Sequence, residues 1–463
     1  MNTIWLPDLL FANGRFHAGL ALEVTPDGIV AAVRPASEIP TGSSVRRLAG
    51  RALLPGMIDV HSHSFQRALR GRAESRRRSG PDFWSWRNIM YRCALALSPE
   101  DIYDVARMAF LEMLQAGITA VGEFHYLHRA PNGSPYDDPN LLAKQVIAAA
   151  QSVGIRIALL RCASARSGFG LAPAPGQIRF IEHDPAVFLR DSDSLHAFIR
   201  PLGPTVTCGI APHSIRAVPR DYLKQTAEWA AGRQLPLHMH VAEQPAEIDA
   251  SLAEYSATPF ALLDDLGLLT PDFTAVHAIH LSDDDISRIA AARIVIGACP
   301  TTERNLGDGV LCADRLLDSG VAIAFGTDSH TQTDALENAR ELESNLRLTH
   351  LQRAVLDGRS GQPLADLLFH CATLSGARSL HLSTGALRPG APADFFTVSL
   401  SDSSIAGSLP DELLTNIVFS MSPRAIRDVA VHGTLAVTDG RHAAKHEIVA
   451  RFEQLQKRLG AEL

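Results

Sequence analysis

The stretch LLPGMIDVHSH, residues 53–63, decides the fold. Its apolar residues run almost unbroken to Val60, which suits a strand buried on both faces. It then ends in His61-Ser62-His63. Side chains alternate along a strand, so the two imidazoles share one face.

Seven runs of the same kind follow: ITAVGEFHY (118–126), IRIALLRCA (155–163), VTCGIAP (206–212), LPLHMHVAE (235–243), FTAVHAIH (273–280), IVIGACP (294–300) and VAIAFGTDSH (321–330). Amphipathic stretches lie between several of them, at Asp101–Ala116, Pro139–Ser152, Asp221–Gly232 and Asp283–Ala292. Eight buried strands separated by helices are what a closed parallel barrel requires. The predicted fold is α/β, a (β/α)8 TIM-like barrel over residues 55–384.

Outside that range the rhythm changes. Residues 1–54 carry short apolar stretches punctuated by NG, DG and PTGSS, and the pattern returns after 385 in GALRPGAPADFFTVSL and DVAVHGTLAVTDGRH. Such spacing reads as short strands and turns. The two ends, 1–54 and 385–463, are predicted to meet as a small composite β-sandwich domain, closed by an amphipathic helix at Glu447–Leu463. The arginine-rich stretch Arg67–Arg78 reads as a solvated loop after the first barrel strand.

The bulk properties narrow the function classes. Hydrophobic residues make up 46% of the 463 and charged residues 20%, a globular balance. A net charge of −7 argues against nucleic acid or an anionic membrane as partner. Six cysteines lie far apart with no CxxC pair, so a disulfide framework is not expected. The N-terminus lacks the basic start of a signal peptide, and no apolar run is long enough to span a bilayer. The expectation is a cytoplasmic protein.

In a barrel of this kind chemistry sits at the C-terminal ends of the strands. Polar residues fall there: His61 and His63 on the first strand, His238, His240 and Glu243 on the fifth, His277 and His280 on the sixth, Asp328 on the eighth. A single strand-end histidine is ordinarily a hydrogen-bonded core residue. Four strands ending this way together point to a metal site. Three histidines and an aspartate with one open position suit Zn2+ best, with Fe2+ the alternative.

LLPGMIDVHSH, HMHVAE, AVHAIH and GTDSH resemble the motifs of the amidohydrolase superfamily, in order, and PADFF and VHGTLAVTDGRH resemble its small β domain. The resemblance implies His61, His63, His240 and Asp328 as metal ligands. It implies His277 rather than His280 as a catalytic group, Glu243 as proton shuttle to a leaving nitrogen, and Asp328 as acceptor of the attacking water's proton. His125, His238 and His330 read as structural. Binuclear members carry a bridging lysine or glutamate near the fourth strand. No lysine lies between Lys144 and Lys224, and Glu182 has a non-strand context, so one ion per subunit is expected.

Further polar residues fall near the barrel mouth: Gln66, Arg87, Tyr126, His213 and Arg216. Two arginines there suggest a small substrate bearing carboxylates. Their contexts, DVHSHSFQRALRG, FWSWR, GEFHYLH and APHSIRAV, resemble the formimidoylglutamate deiminases. That resemblance implies that these five residues hold the substrate. It also implies a homodimer hydrolysing N-formimidoyl-L-glutamate to N-formyl-L-glutamate and ammonia in histidine degradation. The alternatives are a deaminase of the same branch acting on a nucleobase or triazine-like ring, and a catalytically inactive, assembly-forming relative.

Overall fold

In the computed structural model, which describes residues 1–74 and 83–462, the run at 53–63 divides between two strands. β5 (Ser44–Pro55) belongs to one sheet and β6 (Met57–Ser62) to another. Gly56 separates them, and the chain passes from one layer to the next within a single residue.

β6 opens a ring of eight strands. It continues through β7 (Ile118–His125), β8 (Arg156–Ala163), β9 (Val206–Pro212), β10 (Leu237–Val241), β11 (Phe273–His277), β12 (Val295–Ala298) and β13 (Ala322–Phe325). Adjacent strands are parallel, and each falls within one of the eight predicted runs. The seam between first and last is closed just past β13. Asp328 N–H donates to His61 O (2.9 Å), and His63 N–H donates to Asp328 O (3.0 Å). Gly326 lies in this closure. A Cβ there would stand 2.7 Å from His61 Cβ and 3.0 Å from Cys299 Sγ, so only glycine lets the strands approach.

The second sheet draws on both chain ends. β1 (Thr3–Ala12) with β2 (Arg15–Ala18), β3 (Leu20–Val24), β4 (Val30–Pro35) and β5 come from the N-terminal side. β14 (Phe395–Ser399), β15 (Ile426–Val431) and β16 (Thr434–Val437) come from the C-terminal side. The halves join where β14 pairs antiparallel with β5, Phe395 opposite Pro55 and Ser399 opposite Arg51. A buried bidentate ion pair fastens the barrel to this sheet: Arg156 on β8 donates to both oxygens of Asp394, each at 2.9 Å.

Helices fill the intervals between strands, with ends set by local chemistry. Ser98 and Asp101 form a capping box at the start of Pro99–Gln115, as do Ser282 and Asp285 at the start of Asp283–Ala292. The terminal helix, Lys445–Glu462, packs on the first of these through Arg107–Glu447 (2.7 Å) and Arg451–Asp104 (2.8 Å). Among the described residues no helix is long and apolar enough to cross a membrane. All six cysteines are free.

The expectation of a solvated loop over Arg67–Arg78 fails at Arg67–Leu69 and holds for the partly exposed turn at 70–74. Ser64–Leu69 is a 3-10 helix with Ser64, Phe65, Gln66, Ala68 and Leu69 buried. Glu112 draws in both nearby arginines, Arg67 at 2.8 Å and Arg70 at 3.0 Å. Arg70 Nε also donates to His330 O (2.9 Å). Residues 75–78 of the stretch lie outside the described residues.

Candidate active site

At the C-terminal ends of the barrel strands the backbone departs from regular geometry. Ala242, His277, Ala278, Asp328 and His330 all have φ between +53° and +72° or, for Asp328, +50°. Non-glycine residues held there cost about 1–3 kcal/mol each, so surrounding contacts must hold them in place. The positive φ values lie immediately around the groups the sequence singles out.

Those groups converge. Asp328 Oδ1 lies 3.3 Å from His63 Nε2 and 3.5 Å from His61 Nε2, and His240 Nε2 lies 3.1 Å from His61 Nε2. Among the described residues three triplets of ligand atoms within 4.8 Å of one another could hold a metal ion: His61 with His63 and Asp328, His61 with His240 and His277, and, to one side, His277 with Cys299 and Glu303. The protonation states suit a metal. His63 Nδ1 donates to Phe124 O (2.9 Å) and His240 Nδ1 to His213 O (3.0 Å), leaving both Nε2 lone pairs facing inward. Burial, followed by the neighbouring imidazole of His61, takes His63 down to about 3 and His240 well below the ordinary range. His240 Nε2 and His61 Nε2, 3.1 Å apart, are close enough to share one ion. Asp328 is ionised: burial opposes its charge, but the hydrogen bond from His61 and the adjacent imidazoles outweigh it.

A second set of groups adjoins the first. His277 Nε2 is 3.7 Å from Glu243 Oε1 and 3.8 Å from Asp328 Oδ2. Its Nδ1 faces Glu303 Oε1 at 3.3 Å, and that oxygen also accepts from Cys299 N–H at 2.8 Å. Burial disfavours a charged His277, yet the carboxylates of Glu243, Asp328 and Glu303 outweigh burial and raise it to about 10. Glu243 itself is pushed up by burial. His280 turns away, its Nε2 meeting Asp308 O at 3.0 Å.

All five residues read from the mouth of the barrel line one cavity with His63, His240, Glu243, His277 and Asp328. Gln66 Nε2 donates to Tyr126 OH (2.5 Å), and its buried Oε1 is without a partner among the described residues. The Arg87 guanidinium lies 4.4 Å from the Trp84 ring centre, and Arg216 lies 5.9 Å from the same ring. Nε of each arginine is buried and unpartnered among the described residues. His213 Nδ1 meets Ser214 Oγ at 3.1 Å.

Residues 52–436 match the amidohydrolase family. The chain belongs to the amidohydrolase family. Among curated relatives, a formimidoylglutamate deiminase from Pseudomonas aeruginosa is 36% identical over 458 residues, 98% of this chain and 99% of that protein. A 5-methylthioadenosine/S-adenosylhomocysteine deaminase from Pyrococcus abyssi is 27% identical over 390 residues, 84% of this chain and 82% of that protein. The crystal structure of an amidohydrolase from Brucella melitensis superposes with a TM-score of 0.89 at 32% identity, covering 99% of both chains. A triazine hydrolase from an Arthrobacter, 21% identical with a TM-score of 0.85 over 98% of this chain and 99% of that one, shares the amidohydrolase fold.

The other predicted residues separate by depth and direction. His238 is buried with Nε2 on Ser379 O (2.9 Å), and His330 Nε2 meets Ser62 Oγ (2.9 Å). His125 is buried beside His128, their ring centres 5.6 Å apart. Glu182 forms an ion pair with Arg129. Sequence reasoning missed Asp59, Glu123, Glu247 and Glu303, which hold the site from behind, and Tyr91 and Gln177, which line the cavity. Asp59 carries a signal in retrospect, a lone acid inside an apolar strand two residues before His61.

Proposed function

We propose that this amidohydrolase hydrolyses N-formimidoyl-L-glutamate to N-formyl-L-glutamate and ammonia. The observation that carries the reading is the pair of guanidinium groups, Arg87 and Arg216, on the wall of the cavity that also holds Glu243, His277 and Asp328. Guanidinium groups left, among the described residues, without protein carboxylates at hydrogen-bond distance suit a substrate that brings its own. The near full-length likeness to a formimidoylglutamate deiminase supports the same substrate.

His61, His63, His240 and Asp328 would hold a single divalent ion, Zn2+ by the chemistry of an N3O donor set. When bound, such an ion supplies Lewis acidity and brings water toward ionisation near neutral pH. A single ion accords with Glu182 being engaged by Arg129 and with Lys144 being engaged by Asp138 at 2.6 Å.

The chain's own groups then divide the work. Arg87 and Arg216 bind the two carboxylates and so fix which carbon faces Asp328. Gln66 and Tyr126 form a hydrogen-bonded pair beside it and orient the formimidoyl group. Asp328 accepts the proton of the attacking water. His277, kept cationic by three carboxylates, stabilises charge developing at the attacked carbon. Glu243 delivers a proton to the leaving nitrogen, which departs as ammonia.

The test is ammonia release from N-formimidoyl-L-glutamate by purified protein of measured metal content, alongside adenosine, guanine and a triazine. Turnover of the dicarboxylate above every ring substrate supports the proposal. A preference for a ring, or metal-loaded protein inert to the dicarboxylate, overturns it.

A further inference from the structure

Glu247 has no place in the reaction above, yet it is fully buried in the first turn of the helix Pro245–Tyr255, directly behind the cavity. Among the described residues neither of its carboxylate oxygens has a side-chain partner at hydrogen-bond distance. Facing it are Arg216 Nε at 3.8 Å and the backbone N–H groups of Ala242 and Glu243. A buried carboxylate is costly unless matched, so Arg216 is the counter-charge that makes Glu247 tolerable.

Arg216 faces a second carboxylate from its other end. Its Nη2 lies 3.9 Å from Glu243 Oε2. One guanidinium therefore stands between the acid that moves a proton and an acid that does not. The same helix also grips the segment carrying Arg216. Arg166 Nε donates to Arg216 O (3.0 Å), and Arg166 is paired with Glu254 (3.2 Å), seven residues beyond Glu247.

We infer that Glu247 is a positioning residue for substrate recognition, holding the Nε edge of Arg216 so that its Nη edge faces the cavity and stays off Glu243. Without that pull, the nearest remaining carboxylate to Arg216 is Glu243. The guanidinium would close onto it, withdrawing one group from the substrate and burdening the other. The inference rests on the reading of Arg216 as the partner of a substrate carboxylate.

The test compares wild type, Glu247→Gln, Arg216→Ala and the double variant, each as full-length protein of matched metal content, with N-formimidoyl-L-glutamate. The expected result is a KM raised tenfold or more in Glu247→Gln, with kcat changed less than fivefold. In the double variant, Glu247→Gln should add nothing to the KM of Arg216→Ala. Glu247→Asp keeps the charge and should recover part of the lost KM; it also replaces the glutamine variant if that one fails to fold. If Arg216→Ala raises KM while Glu247→Gln leaves it unchanged, or if the two effects multiply, the positioning role is overturned and the substrate reading stands. If Arg216→Ala itself leaves KM unchanged, the substrate reading of Arg216 fails and the inference falls with it.

Discussion

The Asp59 carboxylate accepts hydrogen bonds from both the N–H (3.1 Å) and the hydroxyl (2.5 Å) of Thr327, tying the first barrel strand to the residue before Asp328. It also accepts from His61 N–H at 3.1 Å. One acid thus sets the relative positions of His61 and Asp328, on opposite sides of the barrel seam. Replacing it with alanine strands two buried N–H groups, at about 1–3 kcal/mol each. Asp59→Ala should lower unfolding stability by about 3 kcal/mol, and a loss of support behind the site should weaken metal binding about 10–100-fold. Denaturant unfolding and metal titration against a competing chelator measure the two effects. Unchanged metal affinity would show that the seam holds without Asp59.

Metal removal gives a second expectation. Dialysis against a strong chelator should abolish ammonia release and lower Tm, and added Zn2+ should restore both. His240→Ala should retain less than one equivalent of metal after the same dialysis, because His240 Nε2 and His61 Nε2 stand 3.1 Å apart. His238→Ala should retain a full equivalent, since that ring is spent on Ser379 O. Elemental analysis decides between them, and a full equivalent retained by His240→Ala would remove His240 from the ligand set.

That contrast also marks how far the sequence could be read. Alternation along a strand correctly predicts that His238 and His240 face inward together, and it placed His61 and His63 in the same way. What alternation cannot convey is depth. Two residues along a strand span about 6.6 Å, enough to move one imidazole from the mouth to the packed interior. Glu303 and Glu247 were hidden for a related reason. Each acts across elements, on His277 and on Arg216, and nothing in local spacing announces a contact between residues more than 25 positions apart. The start of the arginine-rich run misled because its partner, Glu112, lies on a helix over 40 residues away.

Glu123 offers a pH test. It is fully buried and accepts from Ser62 Oγ (2.6 Å), Ser64 N–H (2.8 Å) and Ser64 Oγ (2.6 Å). Burial outweighs those bonds and raises it from 4.5 to about 7. A carboxyl with a raised folded-state pKa adds stability below its unfolded pKa, and that stability is lost as pH rises through the folded value. Glu123→Gln does not titrate. The stability advantage of wild type over Glu123→Gln should therefore shrink as pH rises from 5 to 8. Thermal unfolding of both proteins across that range measures it, and a widening gap would contradict the assignment.

Arg87 tests recognition independently of Arg216. Its guanidinium lies 4.4 Å from the Trp84 ring centre and 5.5 Å from that of Tyr91, a planar seat that a lysine cannot occupy in the same way. A charged hydrogen bond is worth about 1.5–3 kcal/mol, so Arg87→Ala should lower kcat/KM on the dicarboxylate about 10–150-fold. Arg87→Lys should recover less than half of that loss on a logarithmic scale. Steady-state kinetics with both variants measure this, and full recovery by lysine would reduce the role to bare charge.

The two histidines after the sixth strand begin provide the sharpest functional contrast. His277 Nε2 points at Glu243 and Asp328, while its Nδ1 is held by Glu303 at 3.3 Å. Three residues on, His280 directs its Nε2 to the Asp308 carbonyl at 3.0 Å and does not line the cavity. A group stabilising charge in the transition state contributes mainly to kcat, by about 100- to 1000-fold. His277→Ala should lose that much while keeping its metal, because none of its removed atoms belongs to the proposed ligand set. His280→Ala should stay within about fivefold of wild type, with any effect arising from the loop at Asp308. Single-turnover kinetics on metal-matched proteins separate chemistry from product release. A larger kcat loss in His280→Ala than in His277→Ala would reverse the assignment and move the catalytic imidazole three residues along the chain.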